Sequence, residues 1–302
     1  MAGTCVESGT GVDAPRLDAA LPVPDGGPID ASNACAAPSS AAFGAATLIP
    51  GLSSAAGDGT PSLTDDRLEL YFKSERNGTY DVFVTKRATA STAWPAPVIV
   101  SELSDALASD TGVEVSPDGL TLWLSSNRAG GIGALDIYMA TRATRQSAWS
   151  APVHVPALSS AGEDEGIMVL PGALVAYLHS NRRGMGYMEV FRASRSSVAA
   201  AWSAPVLVDE LAAGSGENPW VTADDCTMYF QTARDAATGG GDIWIAHRPM
   251  RDQPFGSLAP VPSLSSTAYD ADPVLTPDLK YALVVSTRTG GPGSYDMFEA
   301  TR

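Results

Sequence analysis

The stretch SPDGLTLWLSSNRAGGIGALDIYMATR, from Ser116 to Arg142, decides the fold because the chain repeats it. It recurs as TDDRLELYFKSERNGTYDVFVTKR (64–87), LPGALVAYLHSNRRGMGYMEVFRASR (170–195), TADDCTMYFQTARDAATGGGDIWIAHR (222–248) and TPDLKYALVVSTRTGGPGSYDMFEATR (276–302). The shared arginine falls at Arg76, Arg128, Arg182, Arg234 and Arg288, with separations of 52, 54, 52 and 54 residues. A fixed period of this length marks a repeat architecture, in which each unit is one supersecondary element.

Each unit predicts four strands. A short apolar strand ends at the Pro-Asp-Gly-like turn (Val113 to Ser116), followed by LTLWLSS, a glycine-rich hairpin and DIYMATR. The fourth strand follows an aromatic residue: Trp94, Trp149, Trp202 and Phe255 lead into PAPVIV, SAPVHV, SAPVLV and GSLAPV. Four strands per unit of about 53 residues is the pattern of a propeller blade. The fifth unit ends at Arg302 without its fourth strand, and FGAATLIPGLSS (Phe43 to Ser54) parallels WSAPVHVPALSS (Trp149 to Ser160). The expectation is an all-β, five-bladed β-propeller whose last blade is closed by an N-terminal strand, Phe43 to Leu48 lying beside Asp296 to Ala300. Such closure removes an exposed sheet edge. The domain reading is a flexible Ala/Pro/Asp/Gly-rich tether over 1–40 and the propeller over 41–302.

The run SPDGLTLWLSSNR…DIYMATR resembles the WD-like repeat of TolB-type propellers across residues 43–302. That resemblance implies the fold. It leaves function open, since similar propellers serve as periplasmic scaffolds, as halves of peptidases and in some polysaccharide lyases. The chain lacks the additional N-terminal α/β domain of TolB and has five units where TolB has six. A role in that envelope system is not implied.

Composition narrows the partners. Hydrophobic residues make up 44% and charged residues 18%, which suits a filled core. The net charge is −15, so a nucleic-acid partner is not expected, because phosphate binding needs a basic footprint. No apolar run reaches the roughly 18 residues that a membrane span needs. The opening MAGTCVESGTG lacks the regions of a signal peptide. The spacer DAPRLDAALPVPDGGPIDAS resembles the tether that follows the lipid-bearing cysteine of exported lipoproteins. The expectation is therefore a monomer exported to the periplasm or cell surface, with a lipid tether and with the signal absent from this chain. Cys5 and Cys35 either close a loop in an oxidising compartment or remain two idle thiols, and Cys226, on an apolar strand, reads as inert packing.

Candidate chemistry comes from repeated polar positions. Each shared arginine is followed by an acid: Arg76 by Asp81, Arg128 by Asp136, Arg182 by Glu189, Arg234 by Asp242 and Arg288 by Asp296. Ser74, Ser126, Ser180, Thr232 and Ser286 precede the arginines with the same regularity. A feature present in every blade reads as structural, an ion pair and hydroxyl bonds that pin the hairpin or join blades. The glycine-rich hairpins lead into strands rather than helices, so they are not phosphate cradles. The segment Asp235 to Asp242 reads as a turn, with calcium binding as its alternative. His154 and His247 fall away from the expected binding face. His179, aligned with Lys73, Ser125, Gln231 and Val285, stands near the rim without a nucleophile or a zinc pattern around it.

The acids before the innermost strands are the site candidates. Asp58, Asp110, Asp164 and Asp270 share one register, blade four has Gly216 there with Glu217 adjacent, and Asp272 adds an acid in blade five. Two readings stand: strand-start caps on local amides, or a ring at the channel mouth holding Ca²⁺, Mg²⁺ or a cationic ligand group. No cofactor is otherwise expected. The leading functional expectation is a non-enzymatic binding or scaffold propeller presenting its top face and acidic channel mouth to a protein or glycan. The alternative is a carbohydrate-active enzyme, a glycoside hydrolase or polysaccharide lyase, using carboxylates around the channel.

Overall fold

Period-two alternation of apolar residues, interrupted by Pro, Gly and Asp turns, yields short antiparallel strands throughout the computed structural model, which describes residues 33–234 and 239–302. The first blade contains β2 (Asp58–Leu63), β3 (Glu69–Ser74), β4 (Asp81–Lys86) and β5 (Val98–Ile99). The second contains β6 (Asp110–Val115), β7 (Thr121–Ser126), β8 (Asp136–Thr141) and β9 (Val153–His154). The third contains β10 (Asp164–Val169), β11 (Val175–Ser180), β12 (Glu189–Ser194) and β13 (Val206–Leu207). The fourth contains β14 (Glu217–Val221), β15 (Thr227–Thr232), β16 (Asp242–His247) and β17 (Gly256–Pro260). The fifth contains β18 (Asp270–Leu275), β19 (Tyr281–Ser286), β20 (Asp296–Thr301) and, from the other end of the chain, β1 (Thr47–Leu48). The chain is a five-bladed β-propeller.

Closure follows the expected geometry over a shorter ladder. Thr47 pairs with Glu299 and Leu48 with Phe298, while Gly44 N–H and Ile49 N–H donate to the carbonyls of Thr301 and Met297 at 2.7 and 3.0 Å. A second repeated arginine shows that the N-terminal strand truly completes the repeat. Arg87, Arg142, Arg195 and Arg248 stack on Trp94, Trp149, Trp202 and Phe255 at 3.8–4.5 Å. The last of the series, Arg302, stacks on Phe43 at 4.4 Å, across the seam.

The cysteines depart from expectation. Cys35 is bonded to Cys226, their Cα atoms 5.6 Å apart and their positions 191 residues apart in sequence. Cys226 is therefore a covalent anchor rather than inert packing, and Cys35 is not the partner of Cys5, which lies outside the described residues. Around the disulfide, Ala34 bridges to Met250, and Cys35 N–H donates to Pro249 O at 2.9 Å. The end of the segment read as a tether is thus fixed to blade four. Residues 1–32 lie outside the described residues, as do 235–238, within the segment Asp235 to Asp242 that was read as a turn.

The repeated arginines also take other partners than the hairpin acids. Arg76, Arg128, Arg182 and Arg288 each place Nη2 on the Oδ1 of the strand-start aspartate 18 residues earlier: Asp58, Asp110, Asp164 and Asp270, at 2.5–2.7 Å. The same nitrogen reaches the carbonyl of Leu52, Leu103, Leu158 or Leu264, and Nε donates to Ser74, Ser126, Ser180 or Ser286. The second aspartate oxygen accepts the amide of Ser54, Asp105, Ser160 or Ser266 at 2.5–2.6 Å. These four aspartates are at most 1% exposed, so the carboxylate is desolvated but fully bonded, the condition under which a buried ion pair is tolerated. In blade four Gly216 leaves Arg234 with the Leu211 carbonyl alone among the described residues, and Thr232 donates to Ser215 O instead.

The hairpin acids serve their own turns. Asp136 Oδ2 accepts Ile132 and Gly133 N–H at 2.8 and 2.9 Å, Asp296 accepts Gly293 N–H, and Glu189 meets Arg183 at 3.0 Å. Asp81 is held by Asn77. Asp81, Asp136, Glu189 and Asp296 thus find partners in the loop beside them, and the strand-start aspartates take the arginines.

Candidate site at the channel mouth

One residue beyond the pinned aspartate, every innermost strand breaks its pairing with a bulge. Register shifts lie between Gly59 and Ser62, Thr111 and Glu114, Glu165 and Met168, Glu217 and Trp220, and Ala271 and Val274. Each bulge carries a left-handed residue: Thr60, Gly112, Gly166, Asn218 and Asp272, with φ between 44° and 55°. Bulges bend a strand and re-aim its side chains. Thr60 is the costly member, a β-branched residue in a region that such residues rarely enter. Its amide is fixed by Asp272 Oδ2 at 2.7 Å. At Gly166 glycine is required, because a Cβ would sit 2.2 Å from the His179 imidazole.

The bulges set two facing rings around the axis. The inner-strand ring is Gly59, Thr111, Glu165, Glu217 and Ala271, and its paired second-strand ring is Lys73, Ser125, His179, Gln231 and Val285. Members of both rings line a cavity of about 220 Å³ together with Asn218, Asp272, Tyr80, Tyr269 and Tyr295. Of the predicted ring of acids, the structure brings Glu217 and Asp272 into this cavity. It does not bring Asp110, Asp164 and Asp270, which are consumed by their arginines, and Asp58 borders the wall with one oxygen on Arg76. The cap reading describes those four. Among the described residues no group of three or more His, Cys, Asp or Glu side chains is arranged to hold a metal ion.

Within the cavity Lys73 Nζ donates to Glu165 Oε1 at 3.3 Å and lies 5.1 Å from the centre of the Tyr80 ring. His179 Nδ1 accepts Asn218 N–H at 3.0 Å, which places the proton of the neutral ring on Nε2, 3.9 Å from Glu165 Oε2. Gln231 Nε2 donates to Glu217 Oε2 at 3.3 Å and to the Tyr269 hydroxyl, and Asn218 Nδ2 donates to Gln231 Oε1 at 3.4 Å.

Titration differs sharply between neighbours. Burial pushes Glu165 upward, but Lys73 and His179 outweigh it and hold the carboxyl at about 2. Burial raises Glu217 to about 7, and the charges of Asp272 and Glu165 add to the rise. Asp272 is raised by burial as well. His179 is lowered to about 4 by burial and stays neutral near pH 7. Lys73 is disfavoured by burial yet raised overall by Glu165 and Asp272, so it keeps its charge. At neutral pH Lys73 and Glu165 form an ion pair in the cavity, and Glu217 stands close to its protonation point.

Glu165 and the tyrosines were not among the sequence candidates. Aligning the blades one residue past the aspartate would have found Glu165, since Gly59, Thr111, Glu217 and Ala271 occupy the same place. The tyrosines stand one residue before repeated acids, Tyr80 before Asp81, Tyr269 before Asp270 and Tyr295 before Asp296, at places that the repeat leaves variable.

No family model matches the chain, and no curated protein matches it. Solved structures do. An α-L-arabinofuranosidase from Podospora anserina, solved with cellotriose, superposes with a TM-score of 0.57 at 12% identity, covering 89% of this chain and 97% of that one. The catalytic domain of the Coprinopsis cinerea GH62 α-L-arabinofuranosidase gives 0.56 at 12% identity, with 89% and 97% covered. TolB from Acinetobacter baumannii gives 0.50 at 14% identity, covering 82% of this chain. The chain spans only 55% of TolB. These likenesses show the fold alone. Among the described residues no helix is long and apolar enough to cross a membrane.

Proposed function

We propose that the chain is an exported, tethered binding propeller whose channel mouth receives one saccharide unit of a glycan, without catalysis. The observation that carries this reading is the placement of variation. The aspartate–arginine pin repeats in four blades, whereas the residue pairs just beyond it differ in every blade, and the cavity gathers acids, amides, a lysine, an imidazole and three tyrosines. Hydroxyl-rich ligands need such a mixture of donors, acceptors and aromatic surface in a concave site. A volume near 220 Å³ suits one sugar ring better than a protein loop. Export is supported by the Cys35–Cys226 bond, which persists in oxidising compartments. A lipid tether and a monomeric state belong to the same proposal. Calorimetric titration with glucose, xylose, arabinose, glucosamine and their short oligomers, beside a Glu165→Gln variant, tests it. Heat from at least one sugar, lost in the variant, is expected. Silence from all of them would return the ring to channel packing.

One observation favours a second reading, glycoside hydrolysis. Glu165 is ionised and Glu217 is protonated up to about pH 7, the division of labour that an acid–base carboxyl pair requires. On this reading activity needs Glu165 deprotonated and Glu217 protonated, so it should hold below about pH 7 and fall above it. Release of nitrophenol from aryl glycosides, abolished by Glu217→Gln, is the matching assay. No release at any pH between 4 and 8 would exclude the reading for those sugars.

A further inference from the structure

The cavity already solves the problem of holding an alkylammonium once. Lys73 places its charged nitrogen beside Glu165 and over the Tyr80 ring. The same cavity holds a further set of this kind: Glu217, Asp272 and the Tyr269 ring, which meets Tyr295 edge-on at 5.9 Å between centres, with Asp272 near enough to Lys73 to feel its charge. Among the described residues neither Glu217 nor Asp272 has a basic side chain within ion-pair distance, since Lys73 is committed to Glu165. Asp272 is 8% exposed, lines the cavity and uses only Oδ2 for a protein donor, the amide of Thr60. Its other oxygen has no protein donor among the described residues and opens to the cavity, where a ligand can reach it. The Thr60 amide holds the carboxyl in place from the neighbouring bulge.

We infer that the channel mouth recognises an amino sugar, its protonated amine held by Glu217 and Asp272 against the Tyr269 ring, and its hydroxyls by Asn218, Gln231 and His179. This rests on the saccharide-binding reading and adds the charge of the ligand. The groups that face Glu217 are Asp272, Glu165, Lys73 and Tyr269, with His179 beside Glu165. The four carboxylates pinned to arginine play no part. Charge matching explains why carboxyls should crowd here at all: two acids whose charged forms are disfavoured by burial are what a site tuned to gain one cation looks like without it. Bound ammonium makes the ionised form of Glu217 favourable, so the complex must release a proton when it forms near pH 7. Aromatic faces add to cation binding where the site is desolvated.

Titration calorimetry at pH 7 with the β-linked trisaccharide of glucosamine, its fully N-acetylated form and cellotriose tests the inference. The expected result is binding of the free amine at least about tenfold tighter than either neutral sugar, as loss of one desolvated charge contact implies. The measured heat should shift between phosphate and Tris buffers by an amount reporting net proton release. Glu217→Gln and Asp272→Asn should each weaken the amine about tenfold or more, with little change for the neutral sugars, and thermal melts identify any variant that is simply unfolded. Equal binding of all three sugars would overturn the amine assignment and leave the saccharide reading standing. No binding by any of them would remove both. Amine binding that is unaffected by either variant, in folded protein, would also overturn the inference.

Discussion

Two adjacent registers of the same strands behave in opposite ways. At Asp58, Asp110, Asp164 and Asp270 the blades are nearly interchangeable: one buried carboxylate, one arginine, one serine and one leucine carbonyl. One residue later the facing pairs Gly59–Lys73, Thr111–Ser125, Glu165–His179, Glu217–Gln231 and Ala271–Val285 differ in every blade. A property that each blade must satisfy to close its own hairpin is repeated, whereas a site on the axis is made once, from unequal contributions. Blade four shows the exchange directly. It has lost the pinned aspartate, as Gly216, and supplies Glu217, Asn218 and Gln231 to the cavity.

The largest effect should come from breaking the frame at its seam. Deleting residues 1–50 removes β1, the buried Phe43 and Ile49, and the anchor at Cys35, leaving β20 as an open edge. Aromatic truncation alone costs about 3–5 kcal/mol, so the shortened chain should be largely unfolded or aggregated in calorimetry and sedimentation. A melt like that of the full chain would contradict the closure account. Breaking the frame inside one blade is next. Asp110→Ala leaves the Arg128 guanidinium buried without its carboxylate and should cost about 3–5 kcal/mol in urea unfolding.

The disulfide is frame of another kind, occurring once. Cys35→Ser, or reduction of the wild type, should cost about 2–4 kcal/mol, because it releases a long loop in the unfolded chain. Equal unfolding midpoints with and without reductant would deny that the bond forms.

The ring should respond least, and in one case favourably. Glu217 has a folded pKa near 7, above its unfolded value of 4.5. The native state therefore binds more protons than the unfolded state between about pH 4.5 and 7, and stability falls as pH rises through that window. Glu217→Gln removes this slope. It should be more stable than wild type at pH 8 by on the order of 1 kcal/mol, with the difference vanishing near pH 4. An unchanged slope would mean that Glu217 titrates normally.

This contrast also explains what the sequence made legible. Five arginines at a regular period revealed the blades, their strand count and the seam, since repetition is visible without any fold. Alignment put His179 near the rim and Glu217 and Asp272 near the mouth. The same alignment misled at Asp58, Asp110, Asp164 and Asp270, because position in register does not say whether a carboxylate faces the channel or turns back to an arginine 18 residues on. The left-handed bulges make that difference, and only two of their five positions carry the glycine that would announce them. Glu165 stands one residue past the repeated aspartate, where periodicity carries no signal. Cys226 found its partner 191 residues away, a distance at which no local pattern speaks.

Asp164 and Glu165 are neighbours in sequence, one in each register, and comparing Asp164→Ala with Glu165→Gln tests the account most directly. Thermal unfolding and titration with the glucosamine trisaccharide are measured on both. Asp164→Ala should lose several degrees of melting temperature, about 3 kcal/mol or more, while the molecules that remain folded bind the sugar as wild type does. Glu165→Gln keeps an acceptor for Lys73 and should melt within a few degrees of wild type, but it leaves the lysine charge uncompensated beside Glu217 and Asp272 and should lose the binding. If Asp164→Ala melts normally, or if Glu165→Gln binds normally, the division between frame and site is wrong.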